Sequence, residues 1–435
     1  MSRSFLTNKS RRSFYTTGRG PTPRLRPSLP TIEEDARPNY DVKKYYPARV
    51  GETLSEKYRL ISKLGWGGDS TVWLAEDIKR WFWQPNQYLT LKIMNSGVRE
   101  GKSAEKNLKI FQRIDELRSG PSSHPGQAYI RLLKESFKIQ GPRGGHICMV
   151  FEPLREPLWL LAKHLGGVGL PLAILKPFLK QLLQGLDFLH SHCHVIHTGN
   201  QCIPLLTKIL DLKSDNFLTG FEDPNILENY VRQQQDHPAP YKLHNSRPIF
   251  QSRPDFGPLK KPGVETVKIS DFSAAVFGDV DAPHNHDIQP RPFCAPEVLL
   301  KAGWSYSADV WNMGVVLWEL LANTALLNGR DRHSHKYSRA VHLAQMIRLL
   351  GPPPISLLEK ADKKICSDLF SSQGEFRFPD LIPPEDFSFS NLTPFLQGEE
   401  KRLFLAFAKR MLQWDPEYRA TARELYGDPW LDYKP

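Results

Sequence analysis

The strongest constraint on this chain is order: a set of short polar motifs, each common alone, follows one another between apolar runs. The first is a glycine-rich turn, Leu64-Gly65-Trp66-Gly67-Gly68-Asp69-Ser70-Thr71-Val72, set between strand-like runs that begin at Tyr58 and end at Leu74. Such a pattern reads as a hairpin whose tip can approach a ligand closely, and its freed backbone N–H groups can cradle phosphates. Taken alone it is also what an ordinary turn looks like. The next strand-like run, Tyr88 to Met94, carries Lys92. A lysine in a half-buried strand ordinarily snorkels at an edge; behind a glycine hairpin it is better explained as a phosphate partner. Then come His197-Thr198, Asp211-Leu-Lys213-Ser-Asp-Asn216, Asp271-Phe-Ser273 and Ala295-Pro-Glu297. Asp309-Val-Trp-Asn-Met-Gly314 and Trp414-Asp-Pro-Glu-Tyr-Arg419-Ala-Thr421 close the series.

Composition removes several other classes. No run approaches the ~18 apolar residues that a membrane span needs, so no membrane role is expected. The five cysteines, Cys148, Cys193, Cys202, Cys294 and Cys366, are scattered and contain no C-x-x-C pair. A disulfide framework or zinc knuckle is therefore not expected, and a reducing compartment is. The net charge of +11 comes from 58 basic and 47 acidic residues. Seven of the basic ones, Arg3, Lys9, Arg11, Arg12, Arg19, Arg24 and Arg26, precede the first acid, Glu33. Without those seven the excess is +4 (51 against 47). The charge describes a tail, so no direct nucleic-acid partner is expected. Residues 1–45 read as a disordered basic arm, although an acid-poor, Arg- and Ser-rich start also resembles a mitochondrial transit peptide. A second stretch, about 220–264, carries Pro224, Pro238, Pro240, Pro248, Pro254, Pro258 and Pro262, and is expected to be irregular.

In this order the motifs resemble the signature set of protein kinases. Leu64-Gly-Trp-Gly with Ser70-Thr-Val-Trp73, His-Thr at 197–198, and Ile147-Cys-Met-Val-Phe-Glu152 are similar to the SR-protein kinase family, closest to its fungal branch. The resemblance covers about Asn39 to Leu431. It implies an α+β fold of two lobes: a small, antiparallel β-rich N-lobe over 46–152 and a larger helical C-lobe over 153–435. It also implies a serine/threonine kinase that moves the γ-phosphate of ATP to a protein, with Mg²⁺. Arg/Ser-rich splicing factors would be the partners, the cytoplasm and nucleus the location, and a monomer the working form.

The roles follow from what phosphoryl transfer requires, which is mainly positioning and charge neutralisation. By the resemblance, Asp211 aligns the substrate hydroxyl and Lys213 sits over the transferring phosphate. Asn216 and Asp271 hold Mg²⁺, which favours hard oxygen donors. Lys92 grips the α and β phosphates. Leu64, Gly65, Gly67, Gly68, Val72 and Glu152 line the nucleotide. Glu297 and Arg419 resemble a buried structural pair.

Four departures matter. In the helix after Lys92, the position that should present a glutamate is Asn107, and Glu105 lies about 200° round the helix from it. Ser273 stands where the family has glycine. Twelve residues, Gly199–Leu210, separate His197-Thr198 from Asp211. The stretch Ser338–Gly351, acidic in relatives that act on Arg-Ser repeats, has no acid here and carries Arg339 and Arg348.

Two other readings stand beside the enzyme. A pseudokinase scaffold would fit Asn107 and the insert. A small-molecule kinase of similar fold is opposed by Ala295-Pro-Glu297 and the Asp309 helix. The insert itself can be a translated intron: Gly-Asn can hold a GTAA donor and Leu-Asp a TAG acceptor. Excision would then restore His-Thr-Asp-Leu-Lys-Ser-Asp-Asn.

Overall fold

The structure is a computed structural model and describes residues 21–38, 40–81, 83–118, 124–142, 144–198, 213–259 and 266–434. The insert 199–210 and Asp211 lie outside the described residues. Along the chain the strands are β1 (Thr53–Leu54), β2 (Tyr58–Trp66), β3 (Ser70–Asp77), β4 (Tyr88–Met94), β5 (Leu133–Gly141) and β6 (Gly144–Phe151). Six short strands follow: β7 (Val195–Ile196), β8 (Phe217–Thr219), β9 (Tyr241–His244), β10 (Arg247–Phe250), β11 (Val267–Ile269) and β12 (Val276–Phe277). The first helices are α1 (Val98–Arg118), α2 (Leu158–His164), α3 (Leu172–Asp187), α4 (Pro224–Asp236), α5 (Pro296–Leu300) and α6 (Ser307–Ala322). The rest are α7 (Arg339–Leu350), α8 (Ile355–Lys360), α9 (Lys363–Leu369), α10 (Gly398–Met411), α11 (Ala422–Tyr426) and α12 (Pro429–Asp432).

The chain forms two compact units. The first takes the described residues up to Gly97, with Lys134–Pro153 and Leu227–Pro254. Its sheet runs in the order β1-β2-β3-β4-β6-β5, and β1 to β4 and β6 pair antiparallel. Alternation along the strands decides what is buried. Leu60, Trp73, Ala75, Leu89, Leu91, Ile93, Cys148 and Val150 form one apolar core. The intervening residues, Val72 and Lys92 among them, point off the opposite face.

Two stretches differ from the reading of the sequence. Residues in the supposed arm pack into this unit: Glu33 and Glu34 are fully buried, and Leu25 bridges to Tyr241. The buried carboxylates are fully partnered. Lys63 Nζ, 1% exposed, contacts Glu33 at 2.7 Å and also Glu34. Arg247 Nη2 meets Glu34 at 2.8 Å, and the backbone N–H and hydroxyl of Ser252 donate to Glu33. Burial pushes the Glu34 carboxyl up, but Lys63 and Arg247 outweigh it and hold it below the ordinary range.

The proline-rich stretch is likewise ordered over much of its length. Pro224 is the first residue of α4, where its fixed φ suits a helix start, and Asp223 accepts from the Asn225 N–H. Among the described residues Pro248 lies in β10, which pairs with β9 alone, so its missing N–H breaks no inner ladder. Asn245 and Ser246, with φ of 48° and 67°, make the two-residue turn between these strands.

The second unit comprises Val98–Leu133, Leu154–Ile226 and the chain from Asp255. It is mostly helical, with β8–β11 and β7–β12 as short antiparallel pairs. Its centre is α6, buried along nearly its whole length. A Cβ at Gly314 would lie 3.0 Å from Met411 and Leu412, so glycine there lets α6 lie close against the end of α10. Arg419 forms a bidentate pair with Glu297, both contacts 2.6 Å and both side chains fully buried, as the sequence suggested.

Candidate active site

In the first unit the sheet register sets four positions in one row. Gly65 pairs with Val72, Val72 with Lys92, and Lys92 with Met149. Leu64 precedes Gly65 on β2, and Glu152 follows the end of β6. The sequence-derived nucleotide residues of this unit therefore gather on and beside one sheet face. Gly67 N–H donates to the Ser70 carbonyl at 2.8 Å and closes the turn. A Cβ at Gly65 would meet nothing within 4 Å, and one at Gly67 only Ser70 Oγ at 3.8 Å. Neither glycine has a positive φ. The chain leaves open the places where side chains at these two positions would stand.

In the second unit Asn216 and Asp271 are brought together by β8 and β11. The pair Phe217–Ile269 ends the ladder, and the Ser270 N–H then donates to the Asn216 carbonyl at 2.8 Å, with Ser270 Oγ bonded to the same oxygen at 3.1 Å. Asn216 is buried. Asp271 adopts φ 58° and ψ 77°, and its Oδ1 accepts from the Ser273 N–H at 3.2 Å. That strained backbone turns the carboxylate at the start of a short helical turn, Phe272–Ala274. An amide oxygen and a carboxylate, on residues whose backbones are joined through Ser270, are the hard donors a small divalent cation such as Mg²⁺ favours. Ser273 itself has helical geometry, so the serine fits where the resemblance would place glycine.

The histidine that precedes the insert is held from several sides. His197 Nε2 is 2.9 Å from the Ser270 carbonyl, and its ring meets Phe272 edge-on at 5.1 Å. The N–H groups of His197 and Thr198 both donate to Asp309 at 2.7 Å. Thr198 Oγ1 donates to the Ala274 carbonyl. Burial would push the Asp309 carboxyl up, but the His190 contact at 2.9 Å and the nearby His197 hold it below its ordinary range. Phe272 also packs on Phe111 of α1, centroids 5.2 Å apart. On that helix Asn107 is buried and Glu105 exposed, so the two lie on different faces of α1.

Lys213 lies in the turn Lys213–Asn216; Asp211 falls outside the described residues, as does the insert expected beside it. The sequence reading missed a polar knot near Asn216. Arg155 pairs with Glu222 at 2.6 Å and Glu156 at 3.0 Å, and Trp159 Nε1 donates to Asp215. Among the described residues one trio, Glu156, His164 and Asp255, brings metal-binding atoms within 4.8 Å of one another. Arg155 already supplies a cation to the Glu156 oxygen there, so the trio is an ion-pair knot rather than an open metal site. Arg155 and Glu222 are far apart in sequence, and no local motif announces them.

Comparison with known proteins bears on the same features. The protein kinase domain family model matches residues 259–431. A serine/threonine protein kinase of Aspergillus fumigatus is 35% identical over 400 residues, covering 92% of this chain and 91% of that protein. The serine/threonine-protein kinase SRPK of Physarum polycephalum is 33% identical over 413 residues, with 92% and 91% covered. The SRSF protein kinase 3 of Mus musculus is 29% identical, with 95% and 93% covered. A crystallised kinase domain matches with a TM-score of 0.61 over 90% of this chain and 100% of its own, at 21% identity, a likeness of fold. The chain belongs to the serine/threonine protein kinases, within the SRPK-like family.

Proposed function

We propose that this kinase works through Asp211, Lys213, Asn216, Asp271 and Lys92. The observation that carries the proposal is the adjacency of Asn216 and Asp271 through Ser270, next to a braced His197. In this reading Asp211 takes the hydrogen bond of the substrate hydroxyl and aligns it for attack, and Lys213 offsets charge on the transferring group. Asn216 and Asp271 would hold Mg²⁺, which supplies charge neutralisation at the phosphates. Lys92, beside Val72 and Gly65 in the sheet, would bind the phosphates of ATP. Leu64, Gly67, Gly68 and Glu152 complete the nucleotide residues.

The finer proposal concerns substrate. Kinship supports Arg/Ser-rich splicing factors as the substrate, and the reading adds a monomer acting in the cytoplasm and nucleus. The α7 region tempers how such a substrate docks: it has no acid from Ser338 to Gly351, and Arg348 Nε is committed to the Pro383 carbonyl at 2.5 Å. Repulsion at Arg339 makes long basic repeats poorer ligands for this helix than for relatives with acids there. The test is transfer to serine peptides flanked by arginine or by glutamate, with and without a metal chelator. Chelator-sensitive transfer to the arginine peptide, with turnover improved by Arg339→Glu, is expected. Transfer that survives the chelator contradicts the metal assignment, and a preference for the glutamate peptide contradicts the substrate class.

A further inference from the structure

Three side-chain donors around the glycine loop converge on one atom. The Gly68 carbonyl oxygen accepts from Arg37 Nη1 at 2.6 Å, Tyr45 Oη at 3.2 Å and Asn95 Nδ2 at 3.3 Å. Arg37 Nη1 also lies 3.2 Å from Tyr45 Oη, and Asn95 N–H donates to the next carbonyl, of Asp69, at 2.7 Å. A guanidinium hydrogen bond of this length is charge-assisted and roughly twice as strong as a neutral one. The donors come from two places: Arg37 and Tyr45 from the segment ahead of the sheet, Asn95 from just past β4.

The arginine does not arrive by chance. Three residues earlier, Glu34 is locked to Lys63 and Arg247, and Glu33 to Lys63 and Ser252. Arg37 N–H donates back to the Glu34 carbonyl at 3.3 Å. A buried ion pair of this kind is weak as a source of stability, but it fixes where the segment leaves the sheet. The segment delivers a cation to the loop tip.

The consequence lies in the peptide plane. Because the bond is planar and trans, holding the Gly68 carbonyl toward Arg37 turns the Asp69 N–H the opposite way. Among the described residues the N–H groups of Gly68 and Asp69 donate to no protein acceptor. Two consecutive unpaired N–H groups at a glycine turn form an anion-binding nest. We propose that Arg37, assisted by Tyr45 and Asn95, is a positioning residue that holds the loop tip with its amides aimed at the phosphates of ATP. The inference rests on the nucleotide reading of this loop and adds a residue from outside every kinase motif in the sequence.

Gly68 belongs to the same device. A Cβ placed there would lie 3.3 Å from Arg37 Nη2 and 3.5 Å from Nη1, so alanine would make the guanidinium shift by a few tenths of an ångström against the carbonyl.

The experiment measures binding of ATP and of adenosine, which has no phosphates, to the full chain and to Arg37→Ala, Arg37→Lys, Gly68→Ala and the Arg37→Ala/Gly68→Ala double variant. Arg37→Ala is expected to weaken ATP roughly tenfold, the weight of one charge-assisted hydrogen bond. It leaves adenosine affinity, the KM for the protein substrate and the melting temperature unchanged. Arg37→Lys recovers part of the loss, and the double variant is no worse than Arg37→Ala. Equal loss of ATP and adenosine, or no loss of either, overturns the proposal. A parent chain that binds neither overturns the nucleotide reading itself, and the clamp with it.

Discussion

His342 shows how one residue can set a pH limit without touching the site. It is fully buried in α7, with Nδ1 3.0 Å from the Tyr337 hydroxyl and no partner at Nε2. Burial pushes its pKa down to about 3. The folded state keeps this imidazole neutral while the unfolded chain takes up a proton near the ordinary value of about 6.5. As pH falls through 6.5 the unfolded state binds the extra proton, so stability falls with it. Between pH 6.5 and 5 the loss comes to about 2 kcal/mol. Urea unfolding across that range should show the slope, and His342→Leu should flatten it; an unchanged slope in the variant contradicts the assignment. Other residues divide by whether a local pattern marks them. Lys92, Asn216 and Asp271 stand in short motifs, so their proposed roles can be read before any fold is known. Arg37 is not, because its partner is a carbonyl 31 positions away and nothing in its own neighbourhood marks the contact.

At the scale of elements, the segment after Asp271 explains how a kinase can be held ready without a switch. Between residues 274 and 294 there is no Ser, Thr or Tyr. It is anchored by ion pairs, Asp279 to Arg113 at 3.3 Å and Asp287 to Lys301, and by neutral contacts. Gln289, buried at φ 63°, donates to the Ala308 carbonyl and accepts from the Ala295 N–H. His284 and Trp304 exchange backbone hydrogen bonds and stack at 4.7 Å. Phosphatase treatment should therefore leave activity unchanged and mass spectrometry should find the segment unmodified, whereas Gln289→Ala should lower turnover several-fold. Activation by an upstream kinase acting on 274–294 would contradict this. The β2–β3 hairpin was readable because alternation and glycine agree. The β9–β10 ribbon and α4 were not, because proline reads as a breaker and only tertiary context reveals an edge strand or a first helical turn.

For the whole molecule, the motif order alone sufficed to name the fold. Boundaries were harder, since the first unit recruits residues 227–254 from far along the chain and a linear reading assigns such a stretch to its sequence neighbours. The insert 199–210 is the other question at this scale. His197 remains braced on its own side by Ser270 and Asp309. We hypothesise that those codons are a retained intron: sequencing the mature transcript should find a spliced form reading His-Thr-Asp. Messages that all keep the codons, with a fully active long protein, would refute it. The central claim is that phosphoryl transfer rests on Asp271 beside Asn216. It is tested most directly by following labelled γ-phosphate from ATP into a basic protein substrate, with the spliced and unspliced chains and with Asp271→Ala in each. Transfer by the spliced chain that Asp271→Ala abolishes, with the melting temperature within a few degrees of the parent, is the predicted result; undiminished transfer by a folded Asp271→Ala chain would contradict it.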